Sequence, residues 1–335
     1  MEILSKYIKW ILIFLIYSSF FSCQEPYYPE NLDDKEQVIV VDGMISNLPG
    51  PYEVKLTWAS PYGKSHNIFI QGATVVISDD EGNEEILQEE RFGTYKTSPD
   101  GLIGIVGRTY KVTIILPDGS IYVSTPVMMD NAPVISDIGV AIGKEYNIER
   151  NYSGKVLVEE QIGVNVFVDI DTDTNTFKFY RFDIRYFKKI SSPQGRRIEL
   201  WNMDEYPNLR SAQHLDSAYI IHQHNIGFFP YENYVLYWVA RIKTLCIDQE
   251  AYNYYESMND QLHAREYIFD PVATQIVGNI KCVTDSGKLA LGLFEVASIR
   301  MKYAKFQGYR TESCHLEVLD DDFYFPTSNS DTIYN

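Results

Sequence analysis

Short stretches in which apolar and polar residues alternate dominate this chain after residue 37, and they restrict it to a mostly β fold. In PYEVKLTWAS, Val54, Leu56 and Trp58 alternate with polar neighbours, which is the period of a strand with one buried face. FKFYRFDIRYFKKI, residues 177–190, carries the same period through a longer aromatic stretch. The pattern predicts antiparallel sheets, which we assign to two β-sandwich domains.

Turn residues separate the predicted strands at even spacing. Asp80-Glu81-Gly82-Asn83 joins two β-type runs and is a strong hairpin signal. Pro117-Asp118-Gly119 is a turn in which proline presets φ and glycine accepts a positive φ. These signals predict a first sandwich over residues 37–130, with an immunoglobulin- or transthyretin-like form.

A second β domain is predicted over residues 131–318, after the proline-bracketed segment MMDNAPVISDI. Its period changes once, to helical spacing, and this change predicts an inserted α-helix over about residues 248–264, with Asp248 as N-cap. The apolar face of that helix consists of Ala251, Tyr255, Met258 and Leu262. We expect a long loop over residues 191–212 and a loose acidic tail over 319–335.

The N-terminus has the layout of an export signal. Two lysines precede an apolar run, and small and aromatic residues follow as far as Cys23, in an apolar segment too short for a bilayer-spanning helix. We predict a lipoprotein signal peptide over residues 1–22, a lipid on Cys23 and a tether over residues 23–36. A plain secretory signal or an uncleaved anchor, with Cys23 incidental, is the alternative.

Charge and cysteine content narrow the function classes. The net charge of −17 argues against nucleic-acid binding, which needs clustered basic residues. Beyond Cys23 the chain has Cys246, Cys282 and Cys314, and an oxidising compartment would permit one disulfide. We favour a Cys282–Cys314 disulfide, with Cys246 as a buried thiol.

Two patterns have the residue types of metal sites but lack complete ligand sets. In DIDTDTN, the carboxylates of Asp169, Asp171 and Asp173 are spaced as in calcium loops, but the glycine and glutamate of such a loop are missing. A polar β-turn explains the same residues. His222 and His224 share one strand face, with His214 as the nearest third histidine, and two ligands do not make a zinc site. We predict no metal and no other cofactor.

The chain has no recognisable catalytic motif, and we predict that it is not an enzyme. A secreted hydrolase with an unrecognised carboxylate pair is the alternative, since sequence cannot pair carboxylates. A second alternative is a purely structural envelope protein. The many aromatic residues include Trp201 and Tyr206, which lie in the expected polar loop. Loops on a rigid β scaffold commonly bind ligands, so we predict a stacking site for a glycan or peptide there.

Several segments together resemble one known family. They include VVDGMISNLPGPYEVKLTWASPY, GATVVISDDEGNEE, DQEAYNYYESMNDQ and IFDPVATQIVGNIKCV. Their order is similar to that of the exported lipoproteins called domain of unknown function 4249. The Val-Asp-Gly opening and the Gly-Asn-Ile-x-Cys segment are the most specific parts.

The resemblance implies a lipid-anchored protein of the bacterial outer membrane, on its periplasmic or cell-surface face. It also implies a partner, a TonB-dependent outer-membrane receptor, and assigns no catalytic residue. We therefore expect an accessory or ligand-binding subunit of a nutrient-uptake system, attached to the lipid bilayer through its acylated N-terminus.

Overall fold

The computed structural model describes residues 38–60, 68–150, 155–171, 179–192, 195–202, 208–211, 220–232, 234–263, 276–308, 314–321, 323 and 325. The predicted signal peptide, Cys23 and the tether lie outside these residues. The strands are β1 Ile39–Ser46, β2 Glu53–Trp58, β3 Ile68–Phe69, β4 Thr74–Asp79, β5 Glu84–Ile86, β6 Gln88–Arg91, β7 Thr94–Lys96, β8 Thr109–Ile115, β9 Ile121–Ser124, β10 Val127–Met128, β11 Val134–Arg150, β12 Val156–Asp171, β13 Phe179–Ser192, β14 Gly195–Asn202, β15 Asn208–Ser211, β16 Ile220–Pro230, β17 Val235–Ile247, β18 Ile280–Cys282, β19 Ala290–Gly308 and β20 Cys314–Leu319. One α-helix, α1 at Gln249–His263, occurs in the described part of the chain.

The protein is mostly β, as the alternating pattern predicts, and the strands among the described residues form three sheets. The largest has 11 strands in the order β14-β13-β17-β19-β1-β2-β7-β6, with β15, β20 and β3 paired at its sides. The second has six strands in the order β18-β9-β8-β4-β5, with β10 beside β8. The third consists of β11, β12 and β16. The pairings are antiparallel except that β1 runs parallel to β19.

A first hydrophobic core lies between the six-stranded sheet and the β1, β2 and β7 part of the large sheet. Val41, Leu56, Val112 and Tyr122 are fully buried or nearly so in this core. Two of the predicted turns close hairpins at its edge. Their glycines, Gly82 and Gly119, adopt the positive φ that these turns require, at 87° and 86°. The immunoglobulin- or transthyretin-like form of this sandwich stays a prediction.

A second core lies between the three-stranded sheet and one face of β13, β17 and β19. The rings of Phe229, Trp238 and Phe306 pack together there, with the Phe229 and Phe306 centroids 4.6 Å apart. Strand β19 contributes to both cores, since Phe294 belongs to the first and Ala304 to the second. The division of the chain near residue 130 stays a prediction, although β18 and β19 return from beyond it to complete the first core.

Two segments differ from the sequence-based expectation. The stretch expected as a loop over residues 191–212 contains β14 and β15, which both pair with β13. Its polar composition predicted a loop, but strands at the side of a sheet can be polar. Phe325, in the tail expected to be loose, is buried against Phe187 and Tyr303. Aromatic burial therefore fixes part of the C-terminal segment.

Helix α1 confirms the predicted N-cap. Asp248 accepts hydrogen bonds from the backbone N–H groups of Glu250 and Ala251, at 3.3 and 3.2 Å. The buried face includes Ala251 and Tyr255 as expected, but Leu262 is exposed. Tyr252 and Tyr254 pack there instead, so the helix rests on the large sheet through an aromatic face.

The cap predicts opposite outcomes for two substitutions. We expect Asp248→Ala to lower the free energy of unfolding by about 1 kcal/mol at pH 7, because it removes the acceptor for two helix N–H groups. Asp248→Asn retains an acceptor. Burial raises the pKa of Asp248, so the charged form is disfavoured in the folded state and Asp248→Asn should be at least as stable as wild type at pH 7.

Urea unfolding at pH 7 and pH 4 tests both variants. The advantage of Asp248→Asn should shrink as the pH falls toward the ordinary aspartate pKa of about 4, where the wild-type carboxyl becomes neutral. Equal losses in the alanine and asparagine variants at pH 7 would contradict the capping role.

Candidate functional site

The two segments most specific to the family resemblance meet at one junction, where β1 pairs with β19. Gly292 has φ of 91°, and a Cβ on it would lie 1.9 Å from the carbonyl oxygen of Val41. A Cβ on Gly278 would lie 1.5 Å from the carbonyl oxygen of Gly292. The Asn279 side chain bonds both N–H and C=O of Phe294, at 2.9 and 2.8 Å. These residues have a structural role, namely close packing of three backbone segments.

A cleft of about 270 Å³ lies beside this junction, between α1 and the segment before β18. Helix residues and three residues of that segment line it, namely Glu250, Asn253, Tyr254, Ser257, Ile276, Val277 and Gly278. Within this lining Glu250 is the single carboxylate. The cleft is therefore suited to hydrogen bonding with a small polar molecule, and it lacks the facing carboxylates that glycoside hydrolysis needs.

A buried charged cluster lies under the same helix. Glu295 of β19 is 2% exposed and accepts a hydrogen bond from Arg181 Nη2 at 2.8 Å and one from the Tyr255 hydroxyl at 2.6 Å. The Arg181 guanidinium carbon lies 5.0 Å from the centre of the Tyr255 ring. Since Arg181 belongs to β13, the cluster ties helix α1 to two separate strands of the large sheet.

Electrostatics in this cluster favour the ion pair and the neutral phenol. Burial alone would lower the pKa of Arg181, but the Glu295 carboxylate outweighs burial and raises it. Burial, and next the Glu295 carboxylate, raise the pKa of Tyr255 well above its ordinary value. The contribution of Tyr255 to stability is therefore complete below about pH 10 and is lost as the pH rises further. Because Arg181 and Tyr255 both donate to it, the Glu295 carboxylate has a structural role.

A second candidate surface is a two-stranded arm formed by the ends of β11 and β12. Strand β16 pairs with β12 only as far as the Gly163–Pro230 pair. Beyond it, residues 144–150 and 156–162 pair with each other and with no other described strand, although the Ile162 carbonyl also accepts a hydrogen bond from the Tyr231 N–H at 2.8 Å. Seven residues of strand extend about 20 Å. We call these two segments the arm.

One face of the arm is apolar and exposed. Cross-strand pairs such as Ile148–Val158 place five apolar side chains on a single face at 41–69% exposure, namely Tyr146, Ile148, Val156, Val158 and Ile162. The same face of β12 continues inward as the fully buried Val166 and Val168 of the second core. The pattern of a core-facing strand thus extends past the body of the protein. Tyr146, Ile148, Val156 and Val158 are neighbours in this register, and clustered exposed apolar side chains of this kind mark interaction sites.

Polar contacts cross that face near the body of the protein. Glu160 accepts hydrogen bonds from Lys144 Nζ at 2.7 Å and from the Tyr146 hydroxyl at 3.2 Å. The first of these bonds lowers the pKa of Glu160. The tyrosine ring is therefore held in place at the edge of the apolar face, with a charged pair beside it.

The predicted Cys282–Cys314 disulfide is not formed. Cys282 lies in the first core, on β18, and its sulfur is 3.4 Å from the Thr284 hydroxyl. Cys314 lies beside the second core, on β20, and both cysteines carry free thiols. Cys246 is a buried free thiol. Sequence spacing could not show that two different sheets hold the predicted partners.

The predicted aromatic ligand site is only partly described. The backbone of Trp201 lies in β14, opposite Tyr186 of β13, and Tyr206 lies outside the described residues. Other members of the aromatic supply, including Tyr180, Phe229 and Trp238, are buried in the second core. Those aromatics stabilise the sandwich and do not form an exposed platform.

The weak metal candidates are not assembled in the described part of the chain. Asp169 and Asp171 lie on β12, where they pair across the sheet with residues of β11, and Asp173 lies outside the described residues. His222 and His224 are on β16, and His214 is not described. No group of three or more His, Cys, Asp or Glu side chains suited to a metal ion occurs among the described residues.

The described residues form a mostly β protein with one helix packed on the large sheet. The family named Domain of unknown function (DUF4249) matches residues 24–303. The chain belongs to this family. Among curated proteins and among solved structures no match was found. No helix in the described part of the chain is long and apolar enough to cross a membrane.

Proposed function

We propose that the protein is an accessory subunit of an outer-membrane TonB-dependent uptake system, anchored to the membrane by a lipid on Cys23. The observation that carries the proposal is the exposed apolar face of the arm. A partner in the same membrane would be brought close by the anchor, so that a modest apolar contact is enough to retain it. The partner class comes from the family resemblance.

The arm has the features of a protein-docking element. Its apolar side chains include a tyrosine, which is enriched at interfaces because it combines a large ring with a polar end. Lys144 and Glu160 form a polar pair on the same face, between Ile162 and the other four apolar side chains. An apolar centre with a polar rim is the usual anatomy of a protein interface.

Affinity purification from detergent-extracted outer membranes tests the proposal. We expect the tagged wild-type protein to retain a TonB-dependent receptor, identified by mass spectrometry, and Ile148→Ser/Val158→Thr to lose it. Leu157→Thr is the matched control, because Leu157 is also exposed on the arm but faces the opposite side. Equal recovery of the receptor with all three proteins, or with none, would count against the proposal.

The anchor is tested separately by Cys23→Ala. The mutant should leave the membrane fraction, and the N-terminal peptide of the wild-type protein should carry the mass of a diacylated cysteine. Acyl chains add about 0.8 kcal/mol per buried CH₂, so loss of the lipid should release the protein completely. An unmodified wild-type Cys23 would remove the anchor from the proposal.

A secreted hydrolase is the alternative. It would need two carboxylates facing each other across a concave site. The lining of the described cleft contains Glu250 alone, and the nearby Glu295 is bound by Arg181 and Tyr255. No observation on the described residues favours the hydrolase over the accessory subunit.

A further inference from the structure

The outer face of the large sheet carries a band of cations in a strongly acidic protein. On β13 and β17 the residues of this face alternate in register, so that Arg185 lies directly opposite Arg241, and Asp183 opposite Lys243. We call Arg185, Arg241 and Lys243 the basic band. Directly opposed like charges destabilise a sheet, and the chain as a whole has a net charge of −17. A cluster of three cations is therefore contrary to the general composition.

Two apolar clusters flank the basic band on the same face. On one side, helix α1 packs over Leu245 and Ile299. On the other side, Phe325 packs over Phe187 and Val239. The basic band thus lies between two covered parts of the sheet, with Arg185 exposed and Arg241 and Lys243 half-buried.

The cations of the band lack counter-charges among the described residues. Arg181, next along β13, is neutralised by Glu295, whereas the described carboxylates form no ion pair with Arg185, Arg241 or Lys243. The buried Nε of Arg241 has no hydrogen-bond partner there, and its guanidinium carbon lies 5.2 Å from the Phe325 ring centre. Among the described carboxylates, Asp183 is the one that raises the pKa of Arg241 and Lys243, against the effect of burial.

Burial in the folded state disfavours the charged forms of Arg241 and Lys243. Burial, and next the charge of Arg241, lower the pKa of Lys243, while Asp183 opposes them. Burial also lowers the pKa of Arg241. A lowered lysine pKa means that the charged form is disfavoured in the folded state. At pH 7, where the lysine is charged, Lys243 therefore lowers the free energy of unfolding by the full amount. Residues that lower stability in this way are commonly kept for binding.

We propose that the basic band is a binding site for an oxyanion, the carboxylate or phosphate group of a small ligand. Guanidinium groups bind such groups through paired N–H donors, and lysine adds a point charge. The unpartnered Nε of Arg241 supplies one donor, and Asp183, one carboxylate beside three cations, leaves the band with a net positive charge. This site is separate from the arm and does not depend on docking to a receptor.

Calorimetry and thermal unfolding of the purified full-length protein test the site. The probes are inorganic phosphate and D-glucuronate, compared with D-glucose and with sodium chloride at equal ionic strength. We expect at least one of the two anions to bind wild type and raise its melting temperature beyond the effect of sodium chloride. Response to phosphate alone identifies a phosphate site, and response to glucuronate alone identifies a carboxylate site.

The variants make the assignment specific to the band. We expect Arg241→Gln and Lys243→Met each to weaken anion binding at least tenfold, whereas Lys111→Met, at an exposed lysine on β8, leaves it unchanged. Lys243→Met should melt higher than wild type without anion, because it removes a disfavoured charge; it also keeps the test valid if Arg241→Gln does not fold. The proposal is overturned if neither anion exceeds sodium chloride, or if binding survives in Lys243→Met.

Discussion

Gly292→Ala is expected to destabilise the protein by about 4 kcal/mol or more, which is a large part of the stability of an ordinary domain. Two effects combine at this position. The backbone has φ of 91°, which strains any residue with a Cβ. A Cβ would also lie 1.9 Å from the carbonyl oxygen of Val41, so β1 and β19 would have to separate where they pair in parallel.

Gly82→Ala is the matched control for that prediction. Gly82 has φ of 87°, but a Cβ there would meet nothing within 4 Å. Its substitution therefore carries the backbone strain alone, about 1–2 kcal/mol. Urea unfolding of the two purified variants separates strain from close approach, and equal destabilisation would show that the β1–β19 contact is less tight than described.

Glu295→Leu is expected to cost about 3–5 kcal/mol, because it leaves the buried Arg181 guanidinium without its counter-ion. It also removes the acceptor of the Tyr255 hydroxyl. The double variant Arg181→Met/Glu295→Leu should recover most of this loss, since an apolar pair of similar size needs no compensating charge. Unfolding free energies of the two single variants and the double variant measure the coupling.

The surface pair Lys305–Glu317 is the control for the ion-pair prediction. Its side chains are 2.9 Å apart and both are exposed, so Glu317→Leu should change stability little, because water and salt screen such pairs. Additive effects of Arg181→Met and Glu295→Leu would contradict the description of a coupled buried cluster.

The parts of the fold that the sequence predicted correctly depend on interactions between residues close together in the chain. The N-cap Asp248 and the change to helical period located helix α1, and the glycine turns located the hairpins, because each depends on neighbouring residues only. Strands β14 and β15 were missed because a strand at the side of the sheet can be polar on both faces. The arm was not predicted, since its outer part has no buried side to impose strict alternation.

The candidate sites depend on long-range pairing and were harder to predict. The charged residues of the basic band follow the same period of two as the strands that were predicted, in R-x-D-x-R and R-x-K. That signal was present in the sequence. It indicates a cluster of cations only when Arg185 is known to lie opposite Arg241. The register between two strands cannot be predicted from either strand alone.

The parallel pairing of β1 with β19 also fixes an order of events during synthesis. Ile39 pairs with Ala290, so the partner of the first strand is made on the order of ten seconds or more after it, at typical rates of chain elongation. Until then the first core lacks Phe294 and Val296, and one edge of β1 is open to other chains. The first core is therefore complete only once β19 has been made, and an open β1 edge in the interval favours aggregation and proteolysis.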